Sequence, residues 1–239
     1  MTQEEEEPQQ SLISSKFAWR LAIAVGLLLL ATVLIHFAGR NFSSSILMAG
    51  HTPSTERFNI VIGNNKLSIP ANAIRFKNQR RSGAAQGINL YVSWPEFQGY
   101  QNSTQEAFNS VDEQSKLIFI EITQNGNQGD MSARFDPIYR NFLEGSPQPA
   151  PDGLVQYKMS PQSTYKDEII YVESVTKERP FTIKCLLSNN QLESSTGCQR
   201  DVNLGNGLSV TYRYSEQLIA HWRDIEKGII NTINGALQK

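Results

Sequence analysis

Acid–base, nucleophilic or metal chemistry in this chain would have to come from three histidines, two cysteines and a scatter of carboxylates. Glycan hydrolysis needs a proton-donating carboxylic acid and a second carboxylate across a cleft. Glu96, Glu106, Asp112, Glu113 and Glu121 are candidates, with Trp94, Phe97 and Tyr100 as aromatic neighbours. Their order along the chain does not set any two at the necessary separation, and the same aromatic residues are expected in a core. A Ser-His-Asp or Cys-His centre would have to use His221, because His36 falls in an apolar run and His51 in the segment after it. No GxSxG elbow accompanies His221, and its place beside an apolar helix face favours a structural role. Ser174-Val175-Thr176-Lys177 matches the SxxK spacing of acyl-serine enzymes. The companion SDN and KTG elements are missing and the match ends a strand instead of starting a helix, so it is expected to be chance. HExxH, a GK[ST] phosphate loop and GxGxxG are also missing, and no cofactor or metal is expected.

The densest charge lies in IRFKNQRRSG, where Arg75, Lys77, Arg80 and Arg81 gather with no acid between them. Such a cluster could bind an anionic polymer, lipid headgroups or an acidic protein surface; the plain alternative is a solvated loop between strands. A formal net charge of −1 and the lack of a Lys/Arg-rich tail exclude nucleic acid as an expected partner.

Location decides which of these chemistries is available. Leu21 to Ala38 (LAIAVGLLLLATVLIHFA) is the one long apolar run, about 18 residues or roughly 27 Å as a helix, close to the hydrocarbon thickness of a bilayer. Lys16, Trp19 and Arg20 precede it and Arg40 follows, as interfacial anchors would. A cleaved signal peptide is the rival, with SSSILMAG offering a cleavage site, but the run is longer than the usual h-region and begins after an extended polar tail. An uncleaved signal anchor is favoured. The Lys/Arg count places the amino terminus in the cytoplasm and the carboxy-terminal domain outside it. The expected organisation is an acidic cytoplasmic tail (1–16), a transmembrane signal anchor (17–39), a linker (40–53) and a single exported domain (54–239). Export makes a disulfide between Cys185 and Cys198 the natural pairing. Their spacing suits neither a redox CxxC pair nor a zinc site.

Within the exported domain the dominant period is two. FNIVIGNNKLSIP reads as a hairpin turning at Gly63-Asn64-Asn65, and GINLYVSW alternates until Pro95 ends it. LIFIEITQ, GLVQYKM, EIIYVESV, PFTIKCLLS and the pair RDVNL and LSVTYRY around Gly205-Asn206-Gly207 are further strands. From Ser215, a good N-cap, Leu218, Trp222, Ile225, Ile229 and Ile233 recur at helical spacing. A weaker helix is expected from Met131 to Leu143, with EGSPQPAPDG as a loop after it. The fold class is therefore α+β: a predominantly antiparallel sheet with a C-terminal amphipathic helix packed on it, preceded by one transmembrane helix.

IPANAIRFKNQRRSGAAQGINLYVSWPEFQGY, MSARFDPIY and LSVTYRY with the terminal helix together resemble a group of single-span exported proteins of rhizobia-like alphaproteobacteria, to which no activity is attached. The resemblance implies an inner-membrane anchor and a periplasmic domain. A eukaryotic type II glycoprotein is the alternative, using the sequons at Asn41 and Asn102, which chance also explains. Two function classes follow. The favoured one is a non-enzymatic envelope protein that engages another protein or an anionic envelope polymer through the basic loop or a strand edge. The other is an envelope enzyme acting on glycan or peptidoglycan through paired carboxylates.

Overall fold

The computed structural model describes residues 15–47, 50–109, 116–126, 129–187 and 196–238. The chain divides into two compact units, Met1–Ala49 and Gly50–Lys239. The first holds helix α1 (Ser15–Leu47), which continues beyond the apolar run. Its Lys16–Ile35 stretch is long and apolar enough to cross a membrane, and its side chains are exposed. The hydroxyl of Thr32 donates to the Leu28 carbonyl, which spares it an unmet hydrogen bond in an apolar surrounding.

Among the described residues the second unit contains twelve short strands and two more α-helices. In chain order they are β1 (Arg57–Ile62), β2 (Asn65–Pro70), β3 (Gly83–Ala84), β4 (Gly87–Ser93), α2 (Gln105–Asn109), β5 (Leu117–Gln124), β6 (Leu143–Pro149), β7 (Val155–Met159), β8 (Glu168–Val172), β9 (Thr182–Leu186), β10 (Cys198–Leu204), β11 (Leu208–Tyr214), α3 (Trp222–Ala236) and β12 (Leu237–Gln238). A four-stranded sheet runs β12-β2-β1-β3 and an eight-stranded sheet runs β4-β5-β11-β10-β9-β8-β7-β6. Of the strand pairs only β1 with β3 is parallel, so the α+β class with mostly antiparallel sheets holds.

Local chemistry explains the turns. Gly63 takes φ +55° at the first position of the two-residue β1–β2 turn, where a side chain would be strained. Gly205 and Gly207 do the same between β10 and β11. Asn65 then joins the two hairpins: its side chain donates to the Asn206 carbonyl and accepts from the Asn206 N–H, both at 2.8 Å.

Alternation along the strands builds a two-faced sheet. On its inner face Leu90, Ile120, Tyr212 and Arg200 stand in register across β4, β5, β11 and β10. Against that face pack Trp222, Ile225, Ile229 and Ile233 of α3, together with Ile60, Ile62, Leu67 and Ile69 of the small sheet. Each such side chain contributes about 1.5–3 kcal/mol of burial. Ser215 accepts a hydrogen bond from the Gln217 N–H at the start of this element, as an N-cap does. The first turns, Glu216–His221, are a 3₁₀-helix and the α-helix begins at Trp222.

Two expectations are corrected. Residues 131–142 form irregular turns ending in a 3₁₀ turn at Tyr139–Phe142, not a helix. Pro137 has no N–H to offer and would leave the Ala133 carbonyl without a helical partner; the Asp130 side chain, accepting from the Ala133 N–H, caps only the first turn. The segment expected as a loop contains β6 instead, an edge strand with a register shift between Glu144 and Gln148. Proline is tolerated there because one side of an edge strand has no ladder to complete.

The outer face of the large sheet is covered at its two ends. Met131, Phe135 and Tyr139 pack on Met159, Ile170 and Val172 at one end. Tyr100 and Phe108 pack on Tyr91 and Leu117 at the other. Between them the middle strands present polar side chains.

Candidate functional site

The basic segment closes the free edge of β4. The Arg75 N–H donates to the Asn89 carbonyl and the Asn89 N–H donates to the Gln79 side chain, both at 2.9 Å. This arrangement assigns the four cations different tasks. Arg80 turns inward, its guanidinium donating to the carbonyls of Ile74, at 3.0 and 3.1 Å, and of Arg75. Arg75 lies over the rings of Phe76 and Phe119, 5.0 and 4.7 Å from their centroids. Lys77 and Arg81 are exposed. One of the four thus staples the loop, and the other three are presented outward. A cleft of about 380 Å³ lies beside them, lined by Asn78, Gln79, Arg81, Ser82 and the backbone of 83–88.

Arg75 borders the open middle of the outer sheet face. Tyr91, Phe119, Arg213, Gln199, Lys184 and Ile170 form one row across six strands. Glu121 and Thr211 stand opposite each other in the next row. Arg75, Asn89, Phe119, Glu121, Thr211 and Arg213 line a shallow depression of about 50 Å³ there. Arg213 donates to Gln199. A flat patch with an arginine–aromatic stack and both charge signs suits a protein surface better than a small substrate, which needs a concave pocket.

His51, expected in a linker, is packed into the domain. Its ring stacks on Tyr100 (5.0 Å between centroids), approaches Tyr91 and Phe108, and its Nδ1 is 2.9 Å from the Tyr91 hydroxyl. Burial pulls its pKa below the ordinary 6.5; a hydrogen bond to the Asn109 side chain opposes this, and the charges of Arg80 and Arg75 reinforce it. Burial likewise pushes the Tyr91 phenol up to about 12, against the pull of Arg80. Because the folded state disfavours the imidazolium, the unfolded chain binds the extra proton more readily. Stability is therefore complete above pH 6.5 and falls as pH drops through the lowered pKa. Thermal unfolding of the full chain should show a Tm that decreases from about pH 7.5 to pH 5.5 in the wild type, and this slope should flatten in His51→Phe. An unchanged slope would show that His51 is not the group responsible.

The remaining candidates separate in space. Glu96 is exposed in the turn after β4, Glu106 is exposed on α2 and Glu121 is exposed on β5. Glu106 and Glu121 border different depressions, neither lined by a second carboxylate among the described residues; Asp112 and Glu113 lie outside them. His221 is exposed, with its ring 5.4 Å from that of Trp94. The SxxK pair diverges: Ser174 Oγ hydrogen-bonds Thr176 Oγ1, while Lys177 pairs with Glu173 at 2.8 Å. Among the described residues no three His, Cys, Asp or Glu side chains group as metal ligands. His36 lies in α1. Cys185 and Cys198 are bonded directly across β9 and β10, with Cα atoms 4.0 Å apart.

Sequence reasoning missed a buried ionic centre at the same seam. Beyond Cys198↔Cys185 and Gln199↔Lys184 the β9–β10 pairing stops, and the Arg200 guanidinium occupies the junction. It donates to the Thr182 carbonyl (2.8 Å), the Ser132 hydroxyl (3.0 Å) and Glu226 of α3 (2.9 Å), and lies 4.5 Å over the Phe181 ring. Alternation held the signal: in CQRDVNL, Arg200 shares the inward parity of Cys198 and Val202. Burial pushes the facing Tyr212 phenol well above its ordinary pKa, despite the pull of Arg200. The centre joins a strand of the large sheet, the 131–142 cover and the last helix, so it is structural in reach.

No family model matches the chain, and no curated protein does. Among solved structures, an immunity protein of the Stenotrophomonas maltophilia type IV secretion system superposes with a TM-score of 0.55 at 18% identity, over 80% of this chain and 96% of that one. The fold is similar to that of a bacterial immunity protein. The iron-regulated outer membrane lipoprotein FrpD of Neisseria meningitidis gives a TM-score of 0.45 at 13% identity, over 77% and 98% of the two chains. The first likeness extends to the fold; the second is too loose to carry an argument.

Proposed function

We propose that this chain is a single-pass protein of the bacterial inner membrane whose periplasmic domain has a non-enzymatic binding role, engaging a protein through the open middle of its outer sheet face. The observation that carries this reading is the patch itself. Both ends of that face are covered by the chain's own apolar clusters, whereas its middle displays Arg213, Glu121 and Thr211 beside the Arg75–Phe119 stack. Arginine and aromatic side chains are the groups enriched where proteins meet. The disulfide supports an oxidising compartment, and α1 supports an anchor. The fold shared with an immunity protein supports the sharper form of the proposal: an immunity-type role, in which the tethered domain meets a protein effector and blocks it.

Site-specific photocrosslinkers placed in the full chain at Thr211 and Glu121, in producing cells, test this. One discrete protein adduct is expected from both positions and none from Lys227 on α3, and Arg213→Glu should weaken capture by about tenfold or more. Equal adducts at Lys227, or none at the sheet positions, would remove the basis for the reading.

A further inference from the structure

The charged tip of the basic loop is not used by the sheet patch. From Arg57 to Pro95 the chain carries Arg57, Lys66, Arg75, Lys77, Arg80 and Arg81 and no acidic residue. Arg80 is consumed by backbone carbonyls, but Lys77 and Arg81 are exposed, and between them and Arg75 the Phe76 ring is 43% exposed. An outward aromatic ring among outward cations is the composition of an interfacial contact with an anionic membrane.

The chain enters the domain at the end that carries this tip, where Arg80 and Arg75 act electrostatically on His51. His51 is docked on Tyr91 and Tyr100. The following residues run beside the strand-to-loop segment, with Ser54 and Glu56 carbonyls accepting from the Asn72 and Ala71 N–H groups. Tyr91 pairs in register with Phe119, the ring under Arg75. The entry point and the basic loop therefore share one end of the domain. Among the described residues the acids at this end include Glu56, exposed on the entry segment, Glu106 on α2, whose Phe108 meets the His51 ring, and Glu121, across the sheet depression from Arg75; none lies within the loop 75–82.

We propose that the loop Arg75 to Ser82, through Phe76, Lys77 and Arg81, docks on anionic lipid headgroups of the membrane that holds α1. This inference rests on the anchor reading of α1. Each cation at an anionic surface strengthens the contact by about fivefold.

The test uses the full chain reconstituted in vesicles of phosphatidylcholine alone or mixed with phosphatidylglycerol, with amide hydrogen exchange read over residues 75–82. Exchange should be slowed at least about tenfold by the anionic lipid, and released again near 1 M salt, where screening shortens electrostatic reach to about 3 Å. The exposed-charge variant Lys77→Glu/Arg81→Glu should lose the effect while retaining wild-type exchange in β5 and β11, which reports an intact fold. Flotation with neutral vesicles reads the anchor separately, and its loss would overturn the anchor reading and the docking with it. With flotation intact, exchange insensitive to lipid charge overturns the docking alone. So does slowing by inorganic phosphate in neutral vesicles, or slowing only when a crosslinked protein partner is added.

Discussion

Replacing Arg200 with alanine is expected to lower the unfolding free energy by about 3–5 kcal/mol, the largest single-residue effect in the domain. The guanidinium side chain is 5% exposed and its partner Glu226 is 20% exposed, so truncation leaves a carboxylate facing a cavity with no counter-charge. The Thr182 carbonyl and Ser132 hydroxyl lose their donor at the same time, and an unmet buried polar group costs about 1–3 kcal/mol. Arg200→Met/Glu226→Leu should recover much of the loss, because removing both charges into apolar volume relieves the penalty that removing one creates. Urea unfolding monitored by tryptophan fluorescence measures both variants. A single variant within about 0.5 kcal/mol of wild type would mean that water replaces the guanidinium without cost and that the junction is not held by it.

The second large effect belongs to the disulfide. Cys185→Ala/Cys198→Ala should reduce stability by about 3 kcal/mol in the chain-entropy account, for a sequence separation of 13. The geometry adds a reason for dependence on this bond: the β9–β10 ladder comprises two residue pairs, and the disulfide sits on one of them. Reductant should lower the wild-type urea midpoint by a similar amount and leave the double variant unmoved. Since Arg200 fills the seam where that short ladder stops, the disulfide and Arg200 variants should combine non-additively, with a coupling of about 0.5–3 kcal/mol. Strict additivity would separate the two as independent supports.

Both effects concern a place where local pattern was a partial guide. The strands β1, β2, β4, β5, β7, β8, β9, β10 and β11 were legible because alternation and turn residues act over a few positions. The α3 stripe was legible for the same reason. Strand β6 was not: LEGSPQP has poor strand propensity and is extended because β7 offers it a ladder, a non-local cause. The helix expected at Met131–Leu143 failed for a related reason. Its apolar spacing is satisfied by packing Met131, Phe135 and Tyr139 on the outer sheet face, while Pro137, which has no N–H, interrupts the helical backbone. His51 looked like linker because nothing adjacent to it marks an aromatic docking site; Tyr91, Tyr100 and Phe108 are supplied from far along the chain.

The basic segment shows where the division falls. By itself the sequence determined that four cations cluster without a neighbouring acid, that an apolar helix of membrane length precedes them, and that an antiparallel sheet with a terminal amphipathic helix follows. Composition and short-range periodicity suffice for those statements. Only the tertiary structure decided that Arg80 is spent on backbone carbonyls, that Arg75 stacks on Phe119 at the rim of an open sheet face, and that Lys77 and Arg81 remain outward beside the point where the chain enters the domain. Side-chain direction depends on partners brought from distant positions, and those partners exist only once the sheet has formed.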